Sequence, residues 1–103
     1  MSQPSGPLGE RIERYLAHKH ALGFGYLREE RYLKLVVALA PESGDGLVDE
    51  RLVREFISGT GPRSRPHRLT VVRQLARFLS LEEPRTFVPP RRFLELLSRA
   101  EHR

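Results

Sequence analysis

The chain has no cysteine, which rules out disulfides, cysteine-ligated zinc and thiol redox chemistry and leaves packing as the source of stability. It has no apolar run approaching the roughly 20 residues that cross a bilayer. Its opening, MSQPSGPLGE, has neither the charged start nor the apolar block of a secretory signal. These absences point to a cytoplasmic protein with no membrane partner. Strand-type alternation, internal repeats and low-complexity tracts are missing too. The 103 residues are therefore expected to form one all-α domain that buries about two thirds of the surface exposed by its unfolded chain. The most informative absence is local. SRPHRLTVVRQLARFL, residues 64 to 79, carries four arginines and one histidine but no acidic residue.

Dividing the charge along the chain sharpens that point. Residues 1 to 60 hold eight basic and nine acidic side chains, whereas residues 61 to 92 hold eight arginines against only Glu82 and Glu83. Residues 93 to 103 balance at two of each, so the whole formal net charge of +5 originates in one third of the protein. A one-sided field of this kind attracts a polyanion, while solubility alone would be served by scattered charge. Sixteen of the eighteen basic residues are arginine, whose planar fork suits bidentate recognition of phosphate and guanine.

The apolar spacing predicts a compact bundle of four core helices followed by a short fifth. Residues 1 to 7 read as a flexible arm. Leu8, Ile12, Tyr15, Leu16 and Leu22 recur at helical spacing up to Gly23, a residue suited to a left-handed helix stop. Tyr32, Leu33, Val36, Val37 and Ala40, widened by Leu35 and Leu39, form a broad stripe that ends at Pro41. On this helix Glu30 and Lys34 are spaced to pair. Asp49 is placed to cap a third helix that turns Leu52, Val53, Phe56 and Ile57 inward and ends at Gly59 and Gly61. A fourth helix is expected over roughly 65 to 81, with Ser64 as N-cap and Pro66 tolerated in its first turn. EEPRTFVPP breaks the chain, and RRFLELLSRAEHR supplies the fifth helix, with Phe93, Leu94 and Leu97 inward and Ala100 in the following turn. The domain proper is drawn at 8 to 88, leaving 89 to 103 as a Pro-Pro break and terminal helix.

A helical wheel places Leu69, Val72, Ala76 and Leu79 of the fourth helix within about 80° of one another as its core face. Thr70, Arg73, Gln74 and Arg77 fall on one polar sector with His67 at its edge, and Arg63, Ser64, Arg65 and Arg68 sit in or beside the helix start. Solvated helix faces usually alternate sign, yet this one has no carboxylate to pair with, and mutual repulsion among its arginines calls for an anion. Arg, Gln and Thr on one face supply donors for base edges and phosphates in a DNA major groove.

Three runs, HKHALGFGYLREERYLKLVVALA, LVDERLVREFISG and PRSRPHRLTVVRQLARFLSLEEPRTFVPP, in this order and spacing, resemble the N-terminal core-binding domain of tyrosine recombinases (phage integrases). The resemblance covers about residues 9 to 90. It implies a SAM-like helical bundle forming one half of a clamp around double-stranded DNA. By that similarity the DNA-facing residues are Ser64, Arg65, His67, Arg68, Arg73 and Arg77, with Lys19 and Arg28 of the first helical hairpin as lesser contacts; Thr70 and Gln74 join them from the wheel. The family's tyrosine nucleophile and its Arg, Lys and His-x-x-Arg partners lie downstream of this domain, and no His-x-x-Arg occurs in this chain. The chain is therefore expected to be non-catalytic, either an excised piece of a recombinase or a free-standing remnant. RRFLELLSRAEHR departs from the usual lead into the catalytic domain.

Other residues have simpler readings. Tyr15, Tyr26 and Tyr32 lie on or beside apolar stripes and lack clustered charged partners. His18 and His20 point in different directions on a helix, so no metal site is expected, and the glycines lack any phosphate-loop spacing, so no cofactor is expected. The acidic pairs Glu29/Glu30, Asp49/Glu50 and Glu82/Glu83 suit helix starts and loops. Val71 and Phe78 lie off the core stripe of the fourth helix, where they could pack on the fifth helix or dock a catalytic domain or further subunits. That possibility defines the competing reading, a protein-interaction or oligomerisation module with weak or no DNA binding.

Overall fold

The computed structural model describes residues 6–23, 27–40 and 46–101. Among these the chain forms five helices and no strand: α1 Gly6–Ala21, α2 Leu27–Leu39, α3 Glu50–Ser58, α4 Arg65–Ser80 and α5 Phe93–Glu101. The all-α class follows directly from the periodicities. Leu8, Ile12, Tyr15 and Leu16 are buried on α1, Leu33 and Val36 on α2, and Leu52, Val53, Phe56 and Ile57 on α3. Each set repeats at the three- and four-residue spacing that lines one helix face.

The hub is α4, which packs against each of the other four helices, while α5 packs chiefly on α4. The radius of gyration, 13.4 Å, matches the roughly 13 Å expected of a single packed domain of this length.

Helix ends obey local chemistry, with instructive exceptions. The Asp49 carboxylate accepts a hydrogen bond from the Leu52 amide at 2.8 Å, as its position implies. Ser64 does stand before α4, but its hydroxyl makes no capping bond and its backbone is helical (φ −90°, ψ −14°) rather than extended. Pro66 occupies the second position of the helix and has no N–H to offer, so one of the usual capping donors is missing. The expected arm is shorter than drawn: Gly6 and Pro7 already belong to α1, where proline suits a first turn, and residues 1 to 5 lie outside the described residues. Gly23 has φ +89° and turns the chain at the end of α1; Leu22 beside it is 59% exposed and off the core stripe. Pro41 and Tyr26 lie outside the described residues. The spaced pair Glu30 and Lys34 forms no ion pair.

The segment between α4 and α5 is held down rather than free. The Phe87 amide donates to the Val48 carbonyl at 2.8 Å and the Phe93 amide to the Pro90 carbonyl at 3.0 Å. Pro89 is fully buried, as is Val48. The Phe87 and Phe93 rings meet edge-on at 6.1 Å. Residues 89 to 101, drawn from the sequence as a break and terminal helix, thus lie packed on the bundle, with Phe93 and Leu97 buried and Ala100 exposed.

Candidate nucleic-acid interface

The arginines of α4 divide into two groups, and the helix period explains the division. Arg65 stands four residues before Leu69 and seven before Val72; Arg68 stands four before Val72 and seven before Leu75, all buried positions. Both arginines therefore rise on the core side of the helix, bury their methylene stems and turn their heads toward internal acceptors. Arg65 Nε donates to the Thr60 carbonyl at 3.1 Å, and its two terminal nitrogens grip the Glu101 carboxylate of α5 at 3.0 and 3.2 Å. Its side chain is 20% exposed. Arg68 Nη1 donates to the Phe56 carbonyl at 2.7 Å, a carbonyl in the last turn of α3 that the helix itself leaves without a partner. The same guanidinium lies 5.2 Å from the Tyr32 ring centroid and 4.9 Å from that of Phe56. Neither arginine faces outward as expected, and their charge is relieved by a carboxylate, carbonyls and aromatic faces rather than by an external anion.

His67 keeps 39% of its side chain exposed but turns its Nε2 edge inward. Its Nε2 lies 3.3 Å from Glu29 Oε2 and its ring 5.4 Å from that of Tyr32. At that distance the contact is an ion pair when the imidazole is protonated, but the alignment makes no hydrogen bond, so we regard it as packing of α4 on the start of α2.

The outward stripe is the polar sector read from the wheel, in reduced form. Thr70, Gln74 and Arg77 are exposed and Arg73 is half-buried. Thr70 Oγ1 donates to the Pro66 carbonyl at 3.1 Å. Arg73 Nε donates to the Pro89 carbonyl at 2.8 Å, tying α4 to the segment before α5, and the terminal nitrogens of its fork have no acceptor among the described residues. Arg77 is exposed, and no carboxylate among the described residues lies within ion-pair distance of it. The acids that follow α4 are engaged elsewhere, Glu82 with Arg14 at 3.1 Å and Glu83 with Arg85 at 3.0 Å.

Two hairpin residues flank this stripe. Arg28, exposed, directly precedes the Glu29 that meets His67. Lys19 Nζ lies 5.6 Å over the Tyr15 ring, which itself packs on Phe78 of α4 at 5.1 Å. Sequence reasoning passed over other exposed cations: Arg31 and Lys34 on the outer side of α2, and Arg91 and Arg92 just before α5. The last two belong to the basic third of the chain, a signal that was present in the charge distribution but was absorbed by reading them as the start of a helix.

Val71 and Phe78 are not a docking surface. Val71 is buried, and Phe78 packs on Tyr15 and on His18, whose ring centroid is 5.2 Å away. Phe78 thus faces α1 rather than α5. Among the described residues, no three His, Asp or Glu side chains converge on a point where they could hold a metal. No helix among them is long and apolar enough to cross a membrane. Comparison with protein-family models, with curated proteins and with solved structures found no match for this chain. The likeness to recombinase core-binding domains accordingly stands on the sequence runs quoted above.

Proposed function

We propose that this domain binds duplex DNA without catalysing a reaction on it, in the manner of a recombinase core-binding domain, through the outward stripe of α4 and the loop before it. The observation that carries the reading is the run of exposed Thr70, Gln74 and Arg77, flanked by exposed Arg63 and Arg28, with no carboxylate among the described residues paired to these three arginines. Ser64, Arg65, His67 and Arg68 shape the helix start and hold it in place; the phosphate contacts fall to Arg28, Arg63, Arg73 and Arg77.

These four contacts by themselves contribute about −3 to −4 to the slope with which the logarithm of the binding constant falls against the logarithm of salt concentration. The arginine count of the sequence alone suggests about five contacts and a steeper slope, near −4 to −5. Titrating a fluorescently labelled random-sequence duplex across a salt series tests this. A slope near zero, or no binding at low salt, overturns the reading. R63A/R77A is expected to flatten the slope by about 2 with the melting curve unchanged.

A second reading, self-association, is favoured by one observation: Leu81 is 83% exposed just past α4, and Leu96 is partly exposed on α5. Light scattering separates the two, since an oligomer that persists in R63A/R77A and ignores DNA supports the interaction module.

A further inference from the structure

Of the eight arginines between residues 61 and 92, Arg65, Arg68, Arg73 and Arg85 have internal acceptors. Arg63, Arg77, Arg91 and Arg92 have none among the described residues. Half of the arginines without an internal acceptor in the basic third thus lie on two consecutive residues outside α4.

Their backbone is fixed from both sides. On one side Pro89 is fully buried and its carbonyl accepts from Arg73 Nε at 2.8 Å; on the other Phe93 is buried and its amide donates to Pro90. Arg91 and Arg92 are the exposed residues between these anchors. They do nothing for α5, because cations ahead of a helix's first turn oppose its dipole, and no acidic partner among the described residues offsets them. With about 3.8 Å between successive Cα atoms, both residues start within two or three peptide units of the carbonyl that Arg73 touches. Arg77 lies about 6 Å further along α4 than Arg73. Arg73, Arg77, Arg91 and Arg92 therefore start from two elements that are joined by a hydrogen bond, on backbone separated by a few nucleotide steps of one DNA strand, each about 3.4 Å along the axis.

We propose that the segment 89–92 is a second phosphate-binding element, with Arg91 and Arg92 gripping the backbone of duplex DNA beside the tract held by α4. The proposal rests on the DNA-binding reading above. Because the two arginines are held on a pinned backbone, only their side chains must be ordered to make these contacts.

The test is a salt titration of labelled random duplex with the full chain, its R91A/R92A variant and a charge-matched control, R51A/R54A. The control removes two arginines of α3 that pair with Glu55 and Glu50. Loss of two phosphate contacts is expected to flatten the log–log slope by about 1.8 and to weaken binding on the order of 10- to 100-fold at 0.1 M salt, while the control shifts the slope by less than about 0.5. R91Q/R92Q keeps much of each stem and is expected to lose the same contacts, with both variants melting like the parent. If R91A/R92A and R91Q/R92Q bind like the control while R63A/R77A flattens the slope, the second element is refuted and the α4 interface stands. If the unmodified chain shows no salt-dependent binding, both fall together.

Discussion

Replacing Arg68 by alanine separates a structural arginine from a DNA-facing one more cleanly than any other single change. The substitution removes a charge-assisted hydrogen bond to the Phe56 carbonyl, made at 2.7 Å, worth about 1.5–3 kcal/mol. It also removes two ring contacts, over Tyr32 and Phe56, each worth about 0.5–1 kcal/mol. Against this, Arg68 Nε is buried without a partner, and relieving that atom returns about 1 kcal/mol or more. The net loss is about 2–3 kcal/mol, or roughly 10–20 °C in melting temperature for a domain of this size. Circular dichroism melts and urea titrations of R68A and R68M measure it; R68M keeps an apolar stem between the rings and is expected to recover part of the loss. DNA affinity measured well below the melting transition should change little. A variant that melts within about 3 °C of the parent but binds duplex at least about tenfold more weakly, roughly 1.4 kcal/mol, refutes the reasoning and returns Arg68 to the interface.

Three further outcomes are expected. Gly46 has φ +77°, and a Cβ placed there meets Pro7 Cβ at 2.5 Å and the Leu8 amide nitrogen at 3.2 Å, so G46A should cost about 1–3 kcal/mol in denaturant unfolding; unchanged stability would mean that α1 does not press on this turn. Thr86 is buried and its hydroxyl has no hydrogen-bond partner, so T86V should raise stability by about 1 kcal/mol, and a lowered melting temperature would disprove the orphaned hydroxyl. The Arg85 side chain, and secondarily its amide, donates to the Glu83 carboxylate and holds that carboxyl below the usual glutamate range. Because the folded value is depressed, the linked stability is present above the unfolded value and is lost as pH falls through the folded one. In an NMR titration the Glu83 midpoint should rise toward the ordinary glutamate range in R85A, which keeps the backbone amide, and an unmoved midpoint would rule out the Arg85 side chain as the cause.

The helices and their inward faces were legible because helix period and burial are both local in sequence: a stripe such as Leu52, Val53, Phe56 and Ile57 has one way to hide. The same logic placed Thr70, Gln74 and Arg77 outside. It also contained, unused, the reason that Arg65 and Arg68 turn inward, since each leads a buried residue by four and by seven positions. What no local pattern contained was the partner that each long side chain would find. Glu101 lies 36 residues from Arg65 and the Pro89 carbonyl 16 residues from Arg73. Only the packing of α5 and its preceding segment onto α4 brings them within reach. By itself the sequence determined a helical bundle and a chain segment rich in uncompensated positive charge. Tertiary structure decided which of those charges find acceptors inside and which stay exposed, because a guanidinium on a flexible stem takes whichever acceptor the fold carries to it.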